Sequence, residues 1–177
     1  MPSLILRPNE LIDAGEWSVE GDELLETISD NADTATINQA QNQSITVNLD
    51  NVPSAQSTAT FNTITATAIT APTTKGNPAF ILAILKSNST QIFDQQFINS
   101  SGGVQILTTD VVTLSGDNSK AEFISSLILQ YTGLSGTQAS LSELFITVTY
   151  TEPALGAGKI TLSEGLIRLT SGKISIS

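Results

Sequence analysis

The sequence predicts an all-β chain, an antiparallel β-sandwich of jelly-roll type with a short three-stranded meander at its C-terminus. Three observations carry that expectation. Apolar residues alternate with polar ones in several separate segments, the signature of half-buried strands. Serine and threonine number 44 and asparagine and glutamine 21, while charged residues make up only 14% of the chain. A Thr-rich, Val/Ile-rich, charge-poor chain suits a pleated surface. Turn-forming clusters separate the runs at strand-length intervals, with no convincing 3.6-residue period longer than two turns.

Residues 1–36 hold nine acids (Glu10, Asp13, Glu16, Glu20, Asp22, Glu23, Glu26, Asp30, Asp33) against one base, Arg7. Glu20–Ile28 could form a short helix, but Leu24–Ile28 is read as a strand. In Ser44–Leu49, Ile45, Val47 and Leu49 alternate with Ser44, Thr46 and Asn48. Thr58–Ala71 is a long Thr/Ala strand whose apolar parity changes near Asn62, which predicts a bulge there. Phe80–Leu85 is apolar on both faces, so it belongs at the centre of a sheet or under an interface. Phe93 and Phe97 share one parity in Gln91–Ile98, and Phe123, Leu127, Leu129 and Tyr131 share another. Leu144, Ile146, Val148 and Tyr150 alternate with Phe145, Thr147, Thr149 and Thr151. Turn signals fall at Asp50–Pro53, Lys75–Pro78, Ser101–Gly103, Gly116–Asn118 and Gly133–Gly136. Eight or so strands without intervening helices imply two packed sheets.

Three units follow: a sandwich domain over 1–152, a linker over 153–158 (Pro153-Ala-Leu-Gly-Ala-Gly158), and a repetitive tail over 159–177. The tail repeats every seven residues, five of strand and two of turn ending in glycine. With Glu164-Gly165 as a hairpin loop, Leu162 faces Ile167 and Ile160 faces Leu169. With Ser171-Gly172 as the next loop, Leu169 faces Ile174 and Ile167 faces Ile176. Six aliphatics (Ile160, Leu162, Ile167, Leu169, Ile174 and Ile176) thus share one face. So small a sheet cannot stand with that face bare. It docks either on its own sandwich or on a neighbouring subunit, and these six are the candidate assembly contacts.

Composition excludes several functions. The chain has no cysteine and no histidine, so disulfides, thiolate or imidazole metal sites and Ser/His or Cys/His catalysis are out of reach. Net charge is −10, which repels phosphate backbones and anionic membrane surfaces. No apolar run is long enough to span a bilayer as a helix. The N-terminus lacks the basic and apolar regions of a signal peptide. No phosphate-binding glycine loop or dinucleotide motif is present. The nearest thing to a metal site is Asp30-Asn-Ala-Asp33 with Asp22 and Glu23 upstream. It could hold Ca²⁺ but lacks the glycine and distal glutamate of an EF-hand; a solvated turn explains the same residues. Acid pairs at glycosidase spacing arise by chance among so many carboxylates. The reading is of a non-enzyme without cofactor or metal. Sequons at Asn42, Asn88 and Asn99 are expected by chance in a chain so rich in Asn, Ser and Thr. Trp17 is read as a plug for one end of the sandwich, with a sugar-stacking platform as the alternative, and Tyr131 and Tyr150 as core residues.

Leu6-Arg7-Pro8-Asn9, Trp17, Leu25-Glu-Thr-Ile-Ser-Asp30 and Asp33-Thr34…Ile37, with Ile124…Leu127 and Leu141–Tyr150 later, form a pattern that resembles small β-sandwich structural proteins of tailed phages, including cyanophages. The resemblance spans roughly residues 4–151 and leaves the tail outside. One departure is Glu16-Trp17 where many such proteins carry Gly-Trp, which leaves the early loop open. The resemblance implies a virion protein on the particle exterior, made in the host cytoplasm, with the major capsid protein or other virion proteins as partners. The foremost expectation is a capsid decoration or cement protein that binds the outer shell as a dimer or trimer and bridges capsid subunits. A tail, neck or fibre component is the alternative, and a carbohydrate-binding adhesion module the second alternative.

Overall fold

The alternating segments become strands, and the register between them sets which side chains meet. The computed structural model describes residues 1–17, 24–29, 37–38, 43–70, 79–87, 89–98, 104–134, 140–153, 161–163 and 166–168. Its strands are β1 (Ser3–Leu6), β2 (Pro8–Asp13), β3 (Ile37–Asn38), β4 (Ser44–Leu49), β5 (Thr60–Thr70), β6 (Ala79–Lys86), β7 (Gln91–Ile98), β8 (Gln105–Thr108), β9 (Val112–Thr113), β10 (Leu127–Gly133), β11 (Ser140–Leu141), β12 (Glu143–Thr151), β13 (Thr161–Ser163) and β14 (Leu166–Arg168). Two short helices, α1 (Leu24–Ser29) and α2 (Ala121–Ile124), accompany them. No helix among the described residues is long and apolar enough to cross a membrane.

The first sheet runs β1-β12-β5-β8, with β9 also on β5, and the second runs β2-β4-β10-β6-β7. All the pairings are antiparallel. Within these sheets β1 lies beside β12, β4 beside β10, β5 beside β8 and β6 beside β7. Leaving out β2 and the two-residue strands, these pair the first strand with the last, the second with the seventh, the third with the sixth and the fourth with the fifth. That is one long hairpin rolled into two facing sheets: the sandwich that the alternation predicts, in the jelly-roll topology preferred for it, with a strand order that the alternation does not give. Strand β2 extends the second sheet beside β4.

The inner faces supply the core. Ile45, Val47 and Leu49 of β4 are buried, as are Leu144, Ile146, Val148 and Tyr150 of β12, while their alternating neighbours face outward. Each such side chain contributes roughly 1.5–3 kcal/mol through burial. On β5 the register places Thr63 opposite Thr149 but Phe61 opposite Tyr150, so Asn62 is an extra residue. The bulge sits where the change of parity put it, and it returns Phe61 to the core.

Two expectations are corrected. Leu24–Ser29 is a helix, not a strand. Leu24 and Ile28 lie one turn apart on its inner side and pack on the core, so the apolar spacing served a period of 3.6 rather than 2. Phe123 lies on α2 and is not in strand phase with Leu127, Leu129 and Tyr131 of β10. Strands β1 and β2 fall within the acidic N-terminal segment and belong to different sheets, the chain crossing over at Arg7. The Arg7 carbonyl accepts the Asp50 N–H at 2.8 Å, and its guanidinium pairs with buried Glu143 at 3.1 Å.

Candidate functional site

The outer face of the second sheet carries a groove. Its floor comes from β6 and β10. Strand β6 is apolar on both faces, as predicted: Phe80, Leu82 and Ile84 enter the core, whereas Ala83 and Leu85 turn outward and form a second small apolar cluster with Ile128 of β10. Polar side chains surround that cluster in register. Thr46 and Asn48 come from β4, Gln130 from β10, Gln91 from β7, Ser87 and Ser89 from the β6–β7 turn, and Ile12 and Asp13 from β2. Together with Leu85 and Ile128 they enclose about 690 Å³.

The groove's amides are held by neighbours on the same face. Asn48 Nδ2 donates to Glu10 Oε2 at 2.7 Å, Gln91 Nε2 to Asp94 Oδ1 at 2.7 Å and Gln130 Nε2 to Thr46 Oγ1 at 3.1 Å. Ser44 and Thr132 share a hydroxyl–hydroxyl hydrogen bond at 2.7 Å on the same face. Asp13 Oδ1 accepts the Gly15 N–H at 2.9 Å. None of the described lining residues is basic, and none is aromatic. At the rim, Ser89 has φ 63°, a left-handed conformation uncommon outside glycine, and its N–H donates to the Lys86 carbonyl at 2.8 Å.

A groove of amides, hydroxyls and the Asp13 carboxylate over an aliphatic floor suits a ligand that is polar at its edges and apolar on one face. Among the described residues no three acidic side chains cluster to hold a metal ion. Asp22, Glu23, Asp30 and Asp33, the candidate Ca²⁺ residues, lie outside the described residues, as do Asn42, Asn88 and Asn99.

Trp17 is not a platform. It is 5% exposed, meets Tyr131 edge-on at 5.3 Å between ring centroids, and points its Nε1–H at the Gln43 carbonyl, 3.4 Å away. It plugs the end of the core. Its position depends on a turn in which the Trp17 N–H donates to Ala14 O at 3.0 Å and Gly15 takes φ +53°. The glycine freedom that the Glu16-Trp17 pair lacks is supplied one residue earlier. Tyr131 and Tyr150 are both buried, as read from the sequence.

Of the six tail aliphatics, Leu162 and Ile167 lie opposite each other where β13 pairs with β14, the register that the heptad repeat predicted. Ile160, Leu169, Ile174 and Ile176 lie outside the described residues. The groove residues were not singled out by sequence reasoning. The doubled apolar face of Phe80–Leu85 was their signal, since an outward Leu85 needs cover from its neighbours.

No protein-family model matches the chain, and no curated protein does. Among solved structures it is similar to a CBM35 from Paenibacillus barcinonensis (15% identity, TM-score 0.41, 86% of this chain and 100% of that one). It is also similar to the CBM32 of AlyQ in complex with 4,5-unsaturated mannuronic acid (14%, TM-score 0.37, 78% and 98%). A third is the arabinose-bound MgGH51 α-L-arabinofuranosidase (8%, TM-score 0.45), of which the chain covers 22% while 78% of this chain is matched. At these identities and TM-scores no ligand or residue role carries across. By its own strand order the chain is a jelly-roll β-sandwich.

Proposed function

We propose that this chain is a non-catalytic binding module that takes an oligosaccharide in the groove of its second sheet. The observation that carries this reading is the groove's composition: amides and hydroxyls from Asn48, Gln130, Gln91, Thr46, Ser87 and Ser89 around a floor of Leu85 and Ile128. A sugar ring presents hydroxyls at its edge and C–H groups on its face, which matches that pattern. Sites of this kind combine an apolar surface with a few placed polar groups.

Titration calorimetry with a panel of oligosaccharides tests it. Binding is expected, and Gln130→Ala or Asn48→Ala should weaken it roughly tenfold, since a lost hydrogen bond to a ligand costs about 1–2 kcal/mol. Absence of binding to every saccharide, or binding that both substitutions leave intact, overturns the reading.

A second reading keeps the chain as a virion subunit on the particle exterior. It draws on the exposed aliphatics Ile98, Val104, Ile106 and Val111, on and beside β7, β8 and β9, which suit a protein neighbour. Quantitative mass spectrometry of purified particles separates its forms: hundreds of copies point to decoration of the head, and a few to tens point to tail, neck or fibre. Absence from particles removes it. The two readings are compatible, because none of these aliphatics is among the groove's described lining residues.

A further inference from the structure

Two of the groove's amides are not free to present either end. A carboxylate accepts hydrogen bonds and donates none, so Glu10 requires the NH₂ end of Asn48, and Asp94 requires the NH₂ end of Gln91. Gln130 Nε2 donates to the Thr46 hydroxyl at 3.1 Å, a partner that can also donate, so only Asn48 and Gln91 are fixed by a carboxylate. The carbonyl oxygens of these three amides have no hydrogen bond among the described residues. Asp13 adds a carboxylate to the wall, with one oxygen on the Gly15 N–H. The groove is therefore rich in acceptors, while the second N–H of each amide and the Ser87 and Ser89 hydroxyls remain as donors. Glu10 and Asp94 stand one hydrogen bond behind it, none of its described lining residues is basic, and the whole chain carries net charge −10.

Resting on the oligosaccharide reading of this groove, we propose that it selects amino sugars, saccharides bearing a protonated amine, over their N-acetylated and uronate counterparts. The ammonium supplies three donors and a positive charge to the carbonyl oxygens and to Asp13. N-acetylation removes the charge, leaves a single N–H donor and adds an acceptor. A uronate brings a second anion into a field already negative, with no cation among the described lining residues to meet it.

The test compares three probes by calorimetry near neutral pH: a glucosamine oligomer, the N-acetylglucosamine oligomer of equal length, and a uronate oligomer. The glucosamine oligomer should bind at least tenfold more tightly than the N-acetylated one, and the uronate most weakly. Asp13→Asn keeps an oxygen for the Gly15 N–H, so the turn survives, yet it should reduce the preference severalfold. Raising salt should weaken the glucosamine oligomer more than the N-acetylated one. Equal affinity for amine and acetamide, preference for the uronate, or an unchanged preference in Asp13→Asn overturns the selectivity while leaving saccharide binding in place. No binding of any probe or of the wider panel overturns the oligosaccharide reading itself, and this inference with it.

Discussion

Replacing Tyr131 by phenylalanine should stabilise the protein. Tyr131 sits in the middle of β10, opposite Ile45 of β4 on one side and Leu82 of β6 on the other. Its ring packs on Phe80 at 4.7 Å and on Trp17 at 5.3 Å. The residue is fully buried, and its hydroxyl has no hydrogen-bond partner among the described residues. A buried hydroxyl without a partner costs about 1–3 kcal/mol in lost hydration. Tyr131→Phe keeps the ring contacts and removes that cost. Against this stands the dispersion lost around one missing oxygen, a few tenths of a kcal/mol. The net gain is about 1 kcal/mol, or roughly 2–4 °C in Tm for a chain of this size.

The same burial pushes the Tyr131 phenol above its ordinary value of 10.0. The unfolded chain ionises first, so the stability tied to the neutral phenol is whole below about pH 10 and falls as pH rises beyond it. Above that point the advantage of Tyr131→Phe should widen by about 1.4 kcal/mol per pH unit. Urea denaturation of both proteins at pH 8 and pH 11, with equal m-values, measures both effects. A variant less stable than the parent by about 1 kcal/mol at pH 8, or an advantage that does not grow at pH 11, refutes the reasoning. The first result would mean that the hydroxyl is satisfied, and the second that the phenol reaches water.

Gly15→Ala should cost about 2 kcal/mol or more. A Cβ there would lie 2.7 Å from the Ser44 carbonyl oxygen on a backbone of φ +53°, and the turn beneath Trp17 would shift. Thermal melts give the loss, and a red-shifted tryptophan emission reports the opened plug. Ser89→Gly should do the opposite, raising stability by about 1 kcal/mol by relieving a left-handed serine. If Ser89 meets the ligand, the same change weakens saccharide binding, which calorimetry reads alongside the melt.

Much of the sandwich was legible in the residues. Ile45/Val47/Leu49 and Leu144/Ile146/Val148/Tyr150 could bury one face only as strands, and the changed parity near Asn62 placed a bulge in β5. Leu162 and Ile167 were paired from the length of a repeat, because a two-residue hairpin leaves one register. Leu24–Ile28 was misread because a few apolar residues fit both periods, and only packing on the core chose the helix. The groove was not legible, for a different reason. Asp13, Asn48, Gln130, Leu85 and Gln91 come from five strands spread along the chain, and only the order β2-β4-β10-β6-β7 brings them to one face. By itself the sequence determined local matters: which residues extend, which face of each strand is apolar, where the chain turns, and which catalytic chemistries its residue types forbid. The tertiary structure decided which polar faces became neighbours, which end of Asn48 and of Gln91 was committed to a carboxylate, and whether Trp17 faced a ligand or the core. Those outcomes depend on contacts between residues distant in the chain, and strand periodicity carries no information about them.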